Sequence, residues 1–249
     1  GPDANGLAGE SGVRCGRGRH GRRPVGPVTE RRLYRIAWTG AFCLLLGVGW
    51  PILAGRIYTD TDLGNFHLPM RHFYAQALKT GHGFLWFPSE FLGFHLHGEG
   101  QAGLFHPLNL IPYRLLPLDV AFNLELIRNY IFILVGTFAL LRRWGVRRDA
   151  ALLGGIFFAF SSFNLLHFMH LNVVAIAAHL PFKLLAIDFA LRARDRHTLP
   201  IACVCLALLT CSQLLLGHPQ IVWISLLAEG SYALLLAWAL GCLRRLPLL

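Results

Sequence analysis

Two aspartates stand two residues apart in the segment "TDTD", at Asp60 and Asp62, shortly after the uncharged run of residues 36–54. In an extended segment, side chains two residues apart point to the same side. The two carboxylates would then be placed to share a metal ion or to divide the roles of general acid and general base. The alternative interpretation is structural, because Thr and Asp commonly cap a following helix, and Thr59 or Asp60 is suitably placed to do so.

A second group of polar residues follows in "FHLHGEGQAGLFHP". Imidazole and carboxylate groups are the usual ligands of zinc, so one hypothesis for this segment is a zinc site made by His95, His97, Glu99 and His106. The alternative is that these histidines form local hydrogen bonds at the level of the lipid headgroups. The sequence alone leaves both open.

Ionisable residues also occur inside long apolar segments. Arg128 is one of them, and an unpaired charge at the centre of a bilayer costs about 3 kcal/mol or more. We therefore expect Arg128 to face the interior of the protein and to pair with Glu125, one helical turn earlier. Such a residue either supports the fold or lines a substrate path. Lys183 and Glu229 pose the same question, and the longer Lys183 can also extend to a membrane interface.

The elements that position these residues are helices that span a membrane. The chain has 249 residues, of which 55% are hydrophobic and 14% charged. About 20 mostly apolar residues span the hydrocarbon core, and six runs meet or approach that length. They are residues 36–54, 120–141, 150–168, 173–191, 200–216 and 220–242. The sequence therefore predicts an all-α, polytopic bundle of about six transmembrane helices.

The basic residues indicate how the bundle is oriented. The formal net charge is +10, but the basic residues punctuate apolar runs instead of marking one folded face, so nucleic acid is not an expected partner. Alternating spans place the basic N-terminal tail and the clusters "RRWGVRR", "RARDR" and "LRR" on one side. Because basic residues favour the cytoplasmic side, both termini are predicted to be cytoplasmic.

The chain divides into a tail and a membrane domain. Residues 1–35 are rich in Gly, Arg and Pro and predict a disordered basic cytoplasmic tail. Residues 36–249 form the transmembrane domain, with a large extracytoplasmic loop over residues 55–119. Within that loop, "FHLPMRHFYAQALKTG" predicts an amphipathic helix along the membrane surface. The aromatic, Gly-rich and Pro-rich segment after it predicts a folded platform at the interface.

Several kinds of chemistry lack support in the sequence. The six cysteines lie in the tail or in apolar runs, which implies no disulfide framework. No P-loop, dinucleotide fingerprint or metalloprotease helix motif occurs. An ATP-driven pump and a soluble type of dehydrogenase are therefore not indicated.

The first loop resembles that of bacterial YfhO-like membrane proteins and, more broadly, the GT-C type of integral membrane glycosyltransferase. The likeness rests on "TDTDLGNFHLP", on "GHGFLWFPSEFLGFHLHGEGQAGLFHPLNLIP" and on "GHPQ" between the last two spans, and covers roughly residues 35 to 240. Family members are typically longer, so the chain looks like the N-terminal portion of a larger protein or a truncated one. The resemblance implies a location in the bacterial inner membrane.

The resemblance also implies a reaction, namely inverting transfer of a sugar from a polyprenyl-phosphate donor to a glycan, lipid or protein acceptor outside the cytoplasm. Asp60 is the first candidate for the general base and Asp62 the second, because the first span surfaces where the lipid-linked sugar would lie. The departing phosphate needs cationic or hydrogen-bonding groups, or a bound divalent metal. Candidates for contacts with phosphate or sugar are Arg71, His72, Lys79, Arg128, His218 and Gln220.

Two rival hypotheses come from other classes of protein. In a transporter or flippase-like channel for a lipid or small solute, Arg128, Lys183 and Glu229 would form the pathway and "TDTD" would be a loop cap. In a non-catalytic membrane assembly subunit, the aromatic face of the first loop, with Trp86 and Phe87, would bind a partner.

Overall fold

Long apolar runs fold into helices, since a helix satisfies its own backbone hydrogen bonds inside a bilayer. The computed structural model describes residues 27–90 and 92–249. The α-helices are α1 (Pro27–Leu53), α2 (Leu68–Thr80), α3 (Pro107–Leu115), α4 (Leu118–Arg143), α5 (Arg148–Ala159), α6 (Ser162–Leu166), α7 (Leu171–Arg192), α8 (Thr198–Leu215) and α9 (Pro219–Ala239). A π-helical turn covers Leu63–His67, short 3-10 segments cover Leu96–Gly98 and Leu243–Leu248, and two short strands, β1 (Trp86–Phe87) and β2 (Phe94–His95), pair in antiparallel fashion.

Six helical segments in the described part of the chain are long and apolar enough to cross a membrane. They are Val28–Leu53, Leu118–Arg143, Arg148–Leu166, Leu171–Arg192, Thr198–Leu215 and Pro219–Ala239. The predicted all-α, multi-pass helical bundle is therefore confirmed. The third span consists of α5 and α6, which a short break at Phe160 and Ser161 separates.

The first helix begins earlier than the sequence predicted. Residues 27–35, assigned to the disordered tail, are the first turns of α1. Pro27 stands at the first helical position, where its missing N–H costs nothing, and Glu30 lies in the first turn, where a negative charge is favourable. The prediction of disorder for residues 1–26 lies outside the described residues.

Helix α7 is the most buried of the spans and packs against α4, α8 and α9. It carries Lys183, whose ammonium lies 2.7 Å from the carboxylate of Glu229 on α9 and donates to Gln213 on α8 at 2.9 Å. Ser225 donates to the other carboxylate oxygen of Glu229. Lys183 is fully buried, so the interpretation that it extends to an interface is wrong. Its ion pair neutralises it inside the bundle.

The segment between α1 and α4 is a folded unit, here called the platform (residues 54–90 and 92–117). Its core contains Met70 and Tyr74 of α2, Tyr113 of α3, and Leu96 and Leu104 from the segment between these helices. Phe73 of α2 stacks on Phe87 of β1 with ring centroids 4.6 Å apart. The predicted amphipathic helix thus exists as α2, and its apolar face packs inside the platform.

Three connections meet at one end of the bundle, here called the loop end. Thr61 in the platform donates to the sulfur of Met169, between α6 and α7, at 3.3 Å. The backbone N–H of His218, between α8 and α9, donates to the carbonyl of Gly100 at 2.6 Å. Gly217 (φ 85°) allows this approach, because a Cβ there would lie 2.3 Å from the same carbonyl oxygen. The platform is therefore fixed to the ends of the later spans.

Candidate functional site

An open groove of about 560 Å³ lies at the loop end. The π-helical turn, the turn around Gly100, and the start of α7 form its walls. Five of its seven lining residues are polar or ionisable, and the lining comprises Asp62, Phe66, His67, Phe94, Glu99, Gln101 and His170. Two carboxyl groups, two imidazoles and an amide thus face one space beside two aromatic rings. Such a surface suits a ligand with hydroxyl groups or a phosphate.

Asp62 lines the groove and Asp60 does not. Thr61, between them, adopts a left-handed backbone (φ 48°), so the segment is not extended and the arrangement of two carboxylates on one side is not formed. Asp62 occupies the N-cap position of the π-helical turn but makes no side-chain capping bond there among the described residues. The N-cap of α2 is His67, so the interpretation that Thr59 or Asp60 caps the following surface helix is wrong.

His170 is the closest ionisable partner of Asp62. Its Nε2 lies 3.4 Å from a carboxylate oxygen of Asp62, whose side chain is 55% exposed. Within the described residues, the buried Nδ1 of His170 has no hydrogen-bond partner, and the same holds for the Nδ1 of His67. An unpaired buried polar atom costs roughly 1–3 kcal/mol. A ligand that reached either nitrogen would recover that cost.

Burial sets the protonation of two other groups at the groove. Burial, assisted by the charge of Arg71, lowers the pKa of His67 to about 4, so His67 is neutral at pH 7. Burial raises the pKa of Glu99, while its hydrogen bond from the N–H of Gln101 acts in the opposite direction. The groove therefore holds neutral hydrogen-bonding imidazole next to the exposed carboxylate of Asp62.

Arg71, a predicted phosphate contact, does not line the groove and is buried, at 2% exposure. Its Nε and Nη2 donate to the two carboxylate oxygens of Glu125 at 3.1 and 2.6 Å, and its Nη1 donates to the carbonyl of Ala102 at 2.5 Å. Tyr113 donates to the same carboxylate at 2.6 Å. Arg71 thus joins the platform to α4, and its donors are engaged within the protein.

The predicted pairing of Arg128 with Glu125 is wrong. Arg128 donates to the carbonyl of Leu108 and to Oδ1 of Asn109, the latter at 3.0 Å. Glu125 pairs with Arg71 because the planar guanidinium offers it two parallel hydrogen bonds. Arg128 instead fixes the start of α3, away from the groove lining.

The remaining predicted contacts are spread over the loop end and do not line the groove. His72 is exposed and lies 3.2 Å from the amide of Gln76, and Lys79 donates to the carbonyl of Leu116 at 3.0 Å. His218 lies in the turn before α9, where its backbone is left-handed (φ 56°). Gln220 is exposed in the first turn of α9.

The hypothetical zinc ligands do not converge. His95 and His97 are neighbours, with ring centroids 5.3 Å apart, while His106 caps α3 by accepting from the N–H of Leu108. In the ranges 27–90 and 92–249, no group of three or more His, Cys, Asp or Glu side chains is placed to hold a metal ion. The histidines make local contacts instead.

The described residues include a hydrogen-bond network, through His106, Ser212 and His179, that the sequence did not indicate. His106 Nδ1 accepts from the N–H of Leu108, so its Nε2 carries the proton in the neutral form and donates to Ser212 at 2.8 Å. His179 Nδ1 donates to the carbonyl of Ala175, so its Nε2 accepts from Ser212 at 2.8 Å. This hydrogen-bond network joins α3, α8 and α7 beside a small cavity of about 250 Å³.

The two buried platform histidines predict a pH dependence of stability. Burial lowers the pKa of His67 and of His106 to about 4 from the ordinary 6.5. As pH falls below 6.5, the unfolded chain binds a proton at each site and the folded chain does not, until about pH 4. The free energy of unfolding should therefore fall between pH 6.5 and 4, by about 3 kcal/mol per histidine at most.

Thermal unfolding of the purified protein in detergent, followed by circular dichroism across this pH range, measures the effect. His106→Gln should flatten part of the slope, because glutamine does not titrate. His82→Gln is the matched control, since His82 is exposed and its ring forms a hydrogen bond with the neighbouring Thr80. Equal slopes in the two variants would contradict the assignment to His106.

Comparison with family models, with curated proteins and with solved structures gives no match for this chain. Membership of the YfhO-like family stays a prediction from the motifs of the first loop. What supports a function is the geometry of the groove and its place at the ends of the spans.

Proposed function

We propose that the chain is a membrane glycosyltransferase-like protein that moves a sugar from a polyprenyl-phosphate donor to an extracytoplasmic acceptor, with Asp62 as the general base. The observation that carries the proposal is the position of Asp62. Its exposed carboxylate lines a polar groove at the ends of the membrane spans, and His170 lies 3.4 Å away.

The depth of the groove suits a lipid-linked substrate. Such a donor keeps its prenyl chain in the hydrocarbon region and its phosphate and sugar at the surface. Asp62 follows α1 after a short connection, and His170 immediately precedes α7. Both groups therefore lie where spans end, which is the level at which a phosphate-linked sugar would be held.

The chemistry is a single displacement. The acceptor hydroxyl gives its proton to Asp62 while its oxygen attacks the anomeric carbon, and the bond from that carbon to the phosphate oxygen breaks. The electron pair leaves with polyprenyl phosphate. Imidazole of His67 or His170 and the amide of Gln101 supply hydrogen bonds to phosphate or sugar hydroxyls. Such a displacement inverts the configuration at the anomeric carbon.

The proposed location is the bacterial inner membrane, with the loop end outside and both termini in the cytoplasm. The arginine clusters support this orientation, because "RRWGVRR" follows α4 and "RARDR" follows α7 at the end of the bundle opposite the groove. The transporter hypothesis receives less support. Lys183 and Glu229 satisfy each other inside the bundle, and Arg128 binds protein oxygen atoms.

Turnover of a defined donor tests the proposal. The purified protein in liposomes is incubated with a panel of polyprenyl-phosphate sugars labelled in the sugar, together with hydroxyl acceptors. We expect release of polyprenyl phosphate and transfer of label for one donor. Movement of an intact donor across the bilayer, with no cleavage of any donor in the panel, would contradict the enzyme hypothesis and favour a flippase.

A further inference from the structure

A basic pocket of about 640 Å³ lies at the end of the bundle opposite the groove, where α4, α7 and α9 finish and α8 begins. Four arginines line it, and one carboxylate, that of Asp195, accompanies them. The arginines are Arg143, Arg192, Arg194 and Arg245. The pocket is thus built at the level where spans enter the interface.

Part of this charge is neutralised within the protein. The buried Asp188 accepts from Arg143 at 2.6 Å and from Arg192 at 2.9 Å. Asp195 accepts from the N–H groups of His197 and Thr198 and so caps the start of α8. Four arginines against these two carboxylates leave two positive charges in excess at the pocket.

Two of the arginines differ in how they are held. Arg245 donates to the carbonyls of Leu191 and Ala193 at 2.9 and 2.8 Å, so it caps the C-terminal end of α7. Arg194 is exposed and makes no hydrogen bond or ion pair with the part of the chain that the structure describes. Arg194 is therefore a cation at the pocket that protein groups do not engage.

An apolar groove of about 650 Å³ joins this pocket and runs between α7 and α8. Phe189 and Thr198 line both spaces. The guanidinium of Arg143 lies 4.2 Å from the centroid of the Phe189 ring, at the boundary between them. Further along, the groove is lined by side chains such as those of Leu185, Ile201 and Leu208. The basic pocket at the interface therefore connects with the apolar groove, which runs towards the bilayer centre.

We propose that the basic pocket and the α7–α8 groove together bind one anionic glycerophospholipid. Its phosphate lies among the arginines and one acyl chain lies along the groove. The excess positive charge selects an anionic headgroup over phosphatidylcholine, whose ammonium the arginines repel, and basic pockets between membrane helices are suited to such headgroups. This site lies away from the proposed catalytic groove and does not depend on it.

Native mass spectrometry of the intact protein, released from nanodiscs made of equal parts phosphatidylglycerol and phosphatidylcholine, measures the retained lipid. We expect preferential retention of one phosphatidylglycerol. Arg194→Gln should weaken its retention about fivefold, since an arginine near a membrane surface contributes about that factor. Arg148→Gln is the matched control, because Arg148 is an exposed arginine at the same end, at the start of α5, and does not line the pocket.

A second variant tests the apolar half without changing charge. Cys205 is exposed and lines the groove, so Cys205→Trp should fill acyl-chain space and also lower retention. Equal retention of the two lipids, or equal effects of the two arginine variants, would overturn the proposal. Competition by soluble glycerol phosphate as effective as that by phosphatidylglycerol would overturn the lipid assignment and indicate a small-anion site.

Discussion

Replacing Asp62 with Asn is expected to lower the rate of sugar transfer about 10²- to 10⁴-fold, the usual contribution of a positioned general base. The amide keeps the size of the side chain but cannot accept the proton of the acceptor hydroxyl. Asp62 is half-exposed and makes no capping bond among the described residues, so the fold should be unaffected. The measurement is single-turnover transfer from the labelled polyprenyl-phosphate donor, with thermal unfolding as the check on folding.

Asp60→Asn is the matched control, because it makes the same chemical change two residues away. Asp60 is exposed and does not line the groove, so its variant should transfer sugar at close to the wild-type rate. If Asp60→Asn were inactive and Asp62→Asn active, the base would be Asp60. If both variants were fully active, the proposed chemistry would have no base.

The spans and the platform could be predicted because their cause is local. Apolar runs longer than a bilayer is thick have few alternatives to a membrane helix, and all six runs became spans. The start of α1 was missed because the prediction followed hydropathy. Its first turns are polar, and the features that favour a helix there, the start at Pro27 and the acidic first turn, do not make the segment apolar.

The groove could be predicted only in part, because its residues meet over long sequence distances. Asp62 was identified, but its partner His170 lies beyond two further spans, and no periodicity in the chain relates the two. The choice between Asp60 and Asp62 depends on the left-handed backbone of Thr61. That conformation is uncommon for a residue other than glycine, so the sequence could not indicate which of the two aspartates lines the groove.

The ion pairing of Glu125 shows the same limit. Helical spacing makes Arg128 a neighbour of Glu125, and the sequence offers no comparable signal for Arg71, which is 54 residues away. The platform folds back over α4 and brings Arg71 to Glu125 with two hydrogen bonds. A tertiary contact with better geometry thus displaced the local one.

Replacing Glu125 with Gln is expected to destabilise the protein by about 3–5 kcal/mol, because it leaves the charge of Arg71 buried without a counter-charge. Arg71 is 2% exposed, so water cannot replace the lost partner without opening the platform. Tyr113 would also exchange a carboxylate acceptor for a weaker amide. The free energy of unfolding, from denaturant titration of the purified protein, measures the loss.

A double variant at Arg71 and Glu125 distinguishes the contribution of the ion pair from the contribution of side-chain packing. Arg71→Met and Glu125→Met together remove both charges and keep apolar volume. The double variant should therefore lose less stability than the sum of the losses of the two single Met variants, by about 1–3 kcal/mol. Additive losses would mean that each residue holds the platform independently. Arg71 donates to the carbonyl of Ala102, next to the groove residue Gln101, and anchors the platform to α4. We therefore expect the single variants to slow sugar transfer by displacing the platform residues Asp62 and Gln101, while the double variant regains part of the rate.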